Sequence, residues 1–181
     1  QLDDGTSIPA DLVLLTAGIR PNIELAQQAG LKVNKGIIVD NRMQTSDPDI
    51  YAAGDAVEVT HIVTQKPCWT PLAGPANKQG RVAGANAAGD NKVFKGCLCT
   101  SIMKIFDLTL AKTGLTEKEA KDEGLNYEIS YTHSANHAEY FPGSRLMSIK
   151  LIWEKGTKRV LGAQGLKQKI QDVNLQKKSR V

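Results

Sequence analysis

The chain has 181 residues, of which 41% are hydrophobic and 23% charged, and a formal net charge of +4, as is typical of a globular protein. No stretch approaches the roughly 18 consecutive apolar residues of a membrane span, and the N-terminus lacks a signal-peptide pattern. Much of the positive charge lies in residues 166–181, where no aromatic residues interleave for base stacking. The composition therefore predicts a cytoplasmic protein with no membrane and no nucleic-acid partner.

The first ninety residues contain several apolar runs separated by helical and turn patterns. The run DLVLLTAG, residues 11–18, is continuously apolar and predicts a strand buried on both faces. Further predicted elements are a helix at 23–31, a strand at 36–40 and a buried strand at 50–55 that ends at Gly54 and Asp55. Because the first strand needs partners that are not evident here, we expect the sequence to be a piece of a longer protein.

A helix rich in small residues is predicted from Pro71 to Asp90. Pro71 and Pro75 stand near its start, where the fixed φ of proline suits a first helical turn. The small residues allow tight packing of this helix against a sheet. They also allow its N-terminal N–H groups to approach a ligand with negative charge. The two interpretations are compatible.

After residue 91 the composition changes to long strand-like runs, which predicts an α+β unit with an antiparallel sheet. Residues 96–115 are rich in β-branched and aromatic residues and predict one long strand region. Thr116 and Glu119 form a capping box at the start of a helix that runs to Gly124. Three more strands are predicted, at 127–133, 145–155 and 159–164, the last two joined by a turn at Gly156.

The three cysteines, Cys68, Cys97 and Cys99, are too few for a disulfide framework. Cys97 and Cys99 stand two apart and would share one face of a strand. A metal site would need two more ligands at suitable spacing, and none is evident, so buried structural thiols and no metal are predicted. Cys68 precedes a helix whose N-terminus can lower a thiol pKa, but position alone gives it no catalytic role.

The segment TSDPDIYAAGD, residues 45–55, resembles the second flavin fingerprint of the pyridine nucleotide-disulfide oxidoreductases. The resemblance implies that this strand lies beneath FAD and that Asp55 binds a ribityl hydroxyl. A carboxylate offers two acceptor oxygens for such a hydroxyl, and Gly54 has no side chain to prevent close approach.

Other segments resemble the same family in the same order. ADLVLLTAGIRPN (10–22) is similar to the last strand of its NAD domain, which implies that Gly18 lies near the nucleotide. KPCWTPLAGPANKQGR (66–81) is similar to the segment whose helix faces the flavin, which implies that Leu72 and Ala73 neighbour the isoalloxazine. TSIMKIFDLTLAKTGLTEKEAKDEG (100–124) is similar to the opening of the interface domain.

The resemblance implies a fold class: an α/β remnant of the FAD- and NAD-binding domains, followed by an α+β interface (dimerisation) domain with an antiparallel sheet. The implied boundaries are 1–20 for the end of the NAD-binding domain, 21–90 for part of the FAD-binding domain and 91–181 for the interface domain. A homodimer through residues 91–164 is implied. After RVLGAQ the C-terminal sequence departs from the family pattern.

HAEYFPGSRLMSIKLIW, residues 137–153, resembles a block of the coenzyme A-disulfide reductases, NADH oxidases and NADH-dependent persulfide reductases. That subgroup usually has Tyr-Tyr-Pro-Gly where this chain has Tyr140, Phe141, Pro142 and Gly143. The resemblance implies that one aromatic residue reaches the redox cysteine of the other subunit. An aromatic pair that only fills the interface is the alternative.

The implied function is transfer of electrons from NAD(P)H through FAD and a cysteine to a disulfide such as coenzyme A disulfide, a persulfide or oxygen. Neither that cysteine nor a G-x-G-x-x-G phosphate loop occurs in these 181 residues, so this piece alone should be inactive. His133 and His137 lack the context of the acid–base pair of the glutathione-reductase branch, which favours a branch with a single redox cysteine. A free-standing dimerisation module without catalysis is the alternative.

Overall fold

The computed structural model describes residues 1–168, so most of the divergent, basic C-terminal segment lies outside the described residues. Three helices are present in this part of the chain: α1 Glu24–Gln28, α2 Ala73–Ala87 and α3 Glu117–Asp122. The strands are β1 Ile37–Ile38, β2 Val57–Thr60, β3 Pro67–Trp69, β4 Ser101–Ile105, β5 Leu108–Gly114, β6 Tyr127–Ala135, β7 Leu146–Glu154 and β8 Val160–Gln168. Within residues 1–168, each helix is too short or too polar to traverse a bilayer.

The first sheet is small and mixed, in the order β1-β2-β3. Strand β1 pairs with β2 in parallel, and β2 pairs with β3 in the antiparallel sense. The core beside it consists of Met43, Val57, Val59, Phe94 and Cys97. Because this core includes residues on both sides of α2 in the sequence, it ties the first sheet to the chain that follows the helix.

Two of the strand predictions for this first part of the chain are wrong. Residues 11–18 form no strand, and Leu12 and Leu15 are each 86% exposed. Residues 50–55 contribute only one isolated bridge, between Gln44 and Tyr51. A strand needs a neighbour for its backbone N–H and C=O groups, and residues 1–168 supply no further strand for either run.

The second sheet has five strands in the order β4-β5-β8-β7-β6, and every pairing is antiparallel. The predicted antiparallel sheet of the α+β unit is therefore confirmed. The one long strand predicted over 96–115 is wrong, because the chain turns at Phe106 and Asp107 to form a hairpin. Phe106 has a φ of 49°, a turn conformation that hydrophobic periodicity does not reveal.

Helix α3 begins at the predicted capping box. The backbone N–H of Glu119 donates to Thr116 Oγ1 at 3.2 Å, and the backbone N–H of Thr116 donates to Glu119 Oε2 at 2.7 Å. Ala120 of this helix is fully buried in a cluster with Leu115, Ile152 and Leu161. The helix therefore covers one end of the five-stranded sheet.

Two glycines face each other where β5 ends. Gly114 pairs with Gly162 of β8. A Cβ at Gly162 would lie 2.0 Å from the carbonyl oxygen of Leu115, and one at Gly114 would lie 2.3 Å from that of Leu161. The φ of Gly114 is also positive, at 62°. The two backbones therefore touch directly, which is what allows Leu115 and Leu161 to enter the same core.

Candidate functional site

The bend at Gly54 and Asp55 is held against the segment that leads into α2. The backbone N–H of Gly54 donates to Gln79 Oε1 at 2.8 Å, and Trp69 Nε1 donates to the carbonyl oxygen of Asp55 at 2.6 Å. Gln79 is only 1% exposed, so its amide is committed to this contact. Two segments that the sequence treats as separate motifs thus form one structural unit.

The outer side of this bend is open. Gly54 has a φ of 95°, and no atom lies within 4 Å of the position a Cβ would take. The side chain of Asp55 is exposed, and its carboxylate makes no hydrogen bond with any residue between 1 and 168. A carboxylate in this position has two oxygens, each of which can accept a hydrogen bond from a ligand hydroxyl group.

The N-terminus of α2, whose flanking residues Trp69 and Gln79 bind the bend, is not capped by a side chain. Leu72 is the N-cap residue, with an extended backbone and no side-chain capping hydrogen bond. No acidic residue stands in the first turn, and Ala73 and Gly74 are exposed. The free N–H groups and the positive end of the helix dipole are therefore available to a group that carries negative charge.

A cavity of about 640 Å³ lies beside this helix start. Its walls include Thr70, Pro71 and Leu72 from the approach to α2, and Glu119 and Glu123 from the region of α3. An ion pair of 2.5 Å between Lys66 and Glu123 joins the two walls. The cavity is therefore bounded by both parts of the chain.

The three cysteines form a cluster beside this cavity, and Cys68 and Cys99 line it. The Sγ atoms lie 3.4 Å apart for Cys68 and Cys97, 3.7 Å for Cys97 and Cys99, and 3.8 Å for Cys68 and Cys99. All three are free thiols. Sequence spacing relates Cys97 to Cys99 but gives no signal for Cys68, which is 29 residues away from Cys97.

Backbone pairing brings the cysteines together. Cys68 pairs with Val59 across β2 and β3, and Cys97 forms a parallel bridge with His61, the residue after β2. Neither Cys97 nor Cys99 lies in a strand, which corrects the prediction that they share a strand face. Cys99 has a φ of 51°, an uncommon conformation for a residue with a side chain.

Contacts among the three sulfurs shift the pKa values of the thiols in different directions. Hydrogen bonds with Cys68 and then Cys97 lower the pKa of Cys99, with a smaller contribution from the Thr70 hydroxyl. Hydrogen bonds with Cys97 and Cys99, followed by burial, raise the pKa of Cys68. A first negative charge in the cluster disfavours a second one, so the three thiols do not ionise independently of one another.

The remaining residues predicted from the sequence lie elsewhere. Gly18 is in the exposed segment 1–20, with no atom within 4 Å of a Cβ position. Tyr140 and Phe141 lie in the connection between β6 and β7, 83% and 57% exposed, with ring centroids 4.8 Å apart. The structure thus brings Gly54 and Asp55 to the segment of Leu72 and Ala73, but it does not bring Gly18, Tyr140 or Phe141 there.

The comparisons with known proteins match both parts of the chain. The family model described as pyridine nucleotide-disulphide oxidoreductase matches residues 1–91, and the model of the dimerisation domain of these proteins matches residues 100–176. Residues 92–99, which include two of the three cysteines, lie between the two matches.

Three relatives illustrate the similarity. An NAD(P)H sulfur oxidoreductase (CoA-dependent) from Pyrococcus furiosus is 43% identical, over 91% of this chain and 38% of the relative. An NADH oxidase from Methanocaldococcus jannaschii is 40% identical, over 89% of this chain and 36% of the relative. The solved structure of an NAD-dependent persulfide reductase from A. fulgidus matches with a TM-score of 0.85 and 46% identity, over 92% of this chain and 32% of that one. The chain therefore spans about a third of the length of these proteins.

Proposed function

Because this chain belongs to the pyridine nucleotide-disulphide oxidoreductase family, we propose that it is the flavin-contacting and dimer-forming part of an NAD(P)H-oxidising flavoprotein. The two hydrogen bonds that fix the Gly54–Asp55 bend against the approach to α2 are the observation that carries this proposal. They place an open carboxylate and an uncapped helix start in one unit. The proposed division is 1–20 for the end of the NAD-binding domain, 21–90 for the FAD-binding part and 91–181 for the interface domain.

The residues of this unit fit FAD, which supplies the hydride and electron chemistry in the flavoproteins of this family. The carboxylate of Asp55 is exposed and has no partner within residues 1–168, so it would accept a hydrogen bond from a ribityl hydroxyl. The open space at Gly54 would allow the ribityl chain of FAD to approach the protein backbone closely. Leu72 and Ala73 would lie beside the electron-rich edge of the flavin ring, with the N–H of Ala73 at the uncapped helix start available to it. The N–H of Leu72 itself donates to the carbonyl oxygen of Thr70 at 2.9 Å. Gly18 is proposed as a contact on the nicotinamide nucleotide.

We assign the electron acceptor to a class, namely a small disulfide such as coenzyme A disulfide, a persulfide or oxygen. The names of the relatives support this class, since they include a sulfur oxidoreductase and an NADH oxidase. Tyr140 is the proposed residue that reaches the partner subunit's redox cysteine, because its phenol can donate a hydrogen bond to a thiolate and Phe141 cannot. Its 83% exposure in a single chain leaves it accessible to a second subunit.

A homodimer through residues 91–164 completes the proposal, supported by the match of residues 100–176 to a dimerisation domain. Light scattering of the protein from the complete reading frame should give twice the mass of one polypeptide. A monomeric mass at assay concentration would contradict this part of the proposal.

The test uses the protein expressed from the complete reading frame that contains these residues. NADH consumption is followed under argon with coenzyme A disulfide, under argon with inorganic polysulfide, and in air without either. We expect bound FAD and turnover with at least one acceptor. Asp55→Ala should lower the flavin content, whereas Asp49→Ala, an exposed carboxylate in the preceding turn, should not. A flavin-free dimer that consumes no NADH would overturn the proposal in favour of a dimerisation module.

The role of Tyr140 is tested separately by removing its hydroxyl. Tyr140→Phe should lower the turnover number with the preferred acceptor while the bound flavin and the dimer mass stay unchanged. Phe141→Leu serves as the neighbouring control and should keep its turnover. Equal activity of Tyr140→Phe and the unaltered protein would leave Tyr140 as an interface residue without a part in the reaction.

A further inference from the structure

The cysteine cluster has a geometry that the proposed flavin chemistry does not use. Its three sulfurs form a nearly equilateral triangle with edges of 3.4, 3.7 and 3.8 Å. These edges are far longer than a disulfide bond of about 2.05 Å. They match the edge of roughly 3.8 Å in a tetrahedron of sulfurs with Zn–S bonds of about 2.3 Å.

The same triangle argues against a planar three-coordinate ion. Three sulfurs at about 2.3 Å around a central ion in one plane would stand roughly 4.0 Å apart, which is longer than every edge observed here. A point about 2.3 Å from all three sulfurs lies roughly 0.9 Å outside their plane, close to the ~0.8 Å of an ideal tetrahedron. We propose that Cys68, Cys97 and Cys99 bind one Zn²⁺ ion through their thiolates, with the fourth vertex of the tetrahedron left open.

Neighbouring residues explain why the fourth vertex is not closed by protein. His61 is buried beside the cluster, but its Nδ1 accepts hydrogen bonds from the backbone N–H groups of Val63 and Thr64. A neutral imidazole that accepts at Nδ1 carries its proton on Nε2, so His61 has no lone pair to offer the ion. The cavity of about 640 Å³ is lined by Cys68 and Cys99. Water or a small thiol can reach the ion from this side.

The backbone holds the ligands in place before any ion arrives. Cys99 keeps a positive φ that is unusual for a residue with a side chain, and such outliers persist where the surrounding structure enforces them. Gly96 approaches β2 so closely that a Cβ would lie 2.4 Å from the carbonyl oxygen of Thr60. An ion here would join β3 to residues 97–99, the short stretch between the two parts of the chain that match family models.

Binding involves no oxidation. Three Zn–S bonds form, and the protons that remain on the thiols pass to solvent, so the loaded centre carries one net negative charge. Thiolate ligands suit Zn²⁺ among the common divalent ions, because soft sulfur does not favour magnesium or calcium.

The test uses the full 181-residue chain, stripped of metal by a chelator under a non-thiol reductant and titrated anaerobically with Zn²⁺ against a chromogenic chelator. We expect one ion per chain and protection of all three thiols from alkylation. Titration with Cd²⁺ should give the ultraviolet sulfur-to-cadmium charge-transfer band that reports thiolate ligation. The absence of a bound ion and of this band would overturn the proposal, as would an ion bound without the band.

Variants locate the ion. Cys68→Ser and Cys99→Ser, both at half-buried positions, should each weaken Zn²⁺ binding by at least about tenfold, since even residues that only orient ligands contribute 10–100-fold. His137→Gln, at an exposed position away from the cluster, should bind as the unaltered chain does. Circular dichroism of each variant separates loss of a ligand from loss of fold. Unchanged affinity in a folded Cys99→Ser chain would overturn the assignment.

Discussion

Gln79 Oε1 accepts a hydrogen bond from the backbone N–H of Gly54 at 2.8 Å, across 25 residues of sequence. The amide is almost completely buried, so removal of it leaves the Gly54 donor without its partner. We expect Gln79→Ala to lower the free energy of unfolding by about 1–3 kcal/mol, the usual cost of an unsatisfied buried polar group. Urea denaturation followed by circular dichroism measures this change. Lys78→Ala, at the exposed neighbouring position, should change it little, and equal effects of the two substitutions would contradict the importance of this contact.

Gly96 should tolerate no larger residue. Its φ is 95°, and a Cβ would lie 2.4 Å from the carbonyl oxygen of Thr60. Gly96→Ala is therefore expected to lower the free energy of unfolding by at least about 1–3 kcal/mol. Gly80→Ala is the matched control, because Gly80 lies inside α2 with no atom within 4 Å of a Cβ position. That change should instead stabilise the helix by about 0.5–1 kcal/mol. Thermal unfolding of both variants tests the opposite signs.

The capping box makes stability depend on pH. Burial raises the pKa of the Glu119 carboxyl, but hydrogen bonds with Thr116 and the charge of Lys112 lower it more, so the pKa lies below its usual value. A lowered folded-state pKa contributes stability above the unfolded pKa of about 4.3. That contribution is lost as the pH falls through the folded pKa.

Glu119→Gln tests this dependence, since glutamine keeps the capping-box hydrogen bond without the charge. The melting temperature of the unaltered chain should fall more steeply from pH 5 to below pH 4 than that of the variant. Lys118→Gln, an exposed neighbour on the same helix, also changes the charge by one but does not titrate in this range. It should keep the slope of the unaltered chain. Parallel curves for all three proteins would refute the prediction.

The 181-residue chain by itself should not retain FAD through gel filtration, and it should not oxidise NADH with coenzyme A disulfide. In the proposed binding mode, the unit of Asp55 and the α2 start would contact only the ribityl and ring portions, and a G-x-G-x-x-G loop for the pyrophosphate is not present in these 181 residues. The absorbance ratio at the flavin and protein maxima after filtration gives the bound fraction. Recovery of one FAD per chain would show that these residues bind it unaided.

Local patterns predicted the second part of the fold well. The Thr116 and Glu119 spacing predicts α3, and its capping box is confirmed by both hydrogen bonds. The strands predicted at 127–133 and 145–155 correspond to β6 and β7, whose antiparallel pairing is confirmed. These predictions succeed because each pattern is satisfied by neighbours nearby in the chain.

The features that the sequence predicted wrongly or did not reveal depend on partners that are distant in the chain. Residues 11–18 have the composition of a buried strand, but no neighbouring strand pairs with them within residues 1–168. The approach of Cys68 to Cys97 depends on the register between β2 and β3 and on the bridge at His61. Neither the register nor the bridge leaves a periodic signal in one sequence, so spacing rules for metal ligands cannot detect this cluster.

The direct backbone contact between Gly114 and Gly162 limits how this sheet can change over evolution or in design. A Cβ added at either glycine would lie within 2.3 Å of a carbonyl oxygen in the opposite segment of the polypeptide. A substitution at one position therefore cannot be compensated by a smaller residue at the other. At an ordinary pair of core positions, a larger side chain on one side can be offset by a smaller one on the other. Here both residues already lack a side chain, so no such offset exists. The pair should therefore stay glycine in any library that randomises β5 and β8, even where every neighbouring position accepts alternatives.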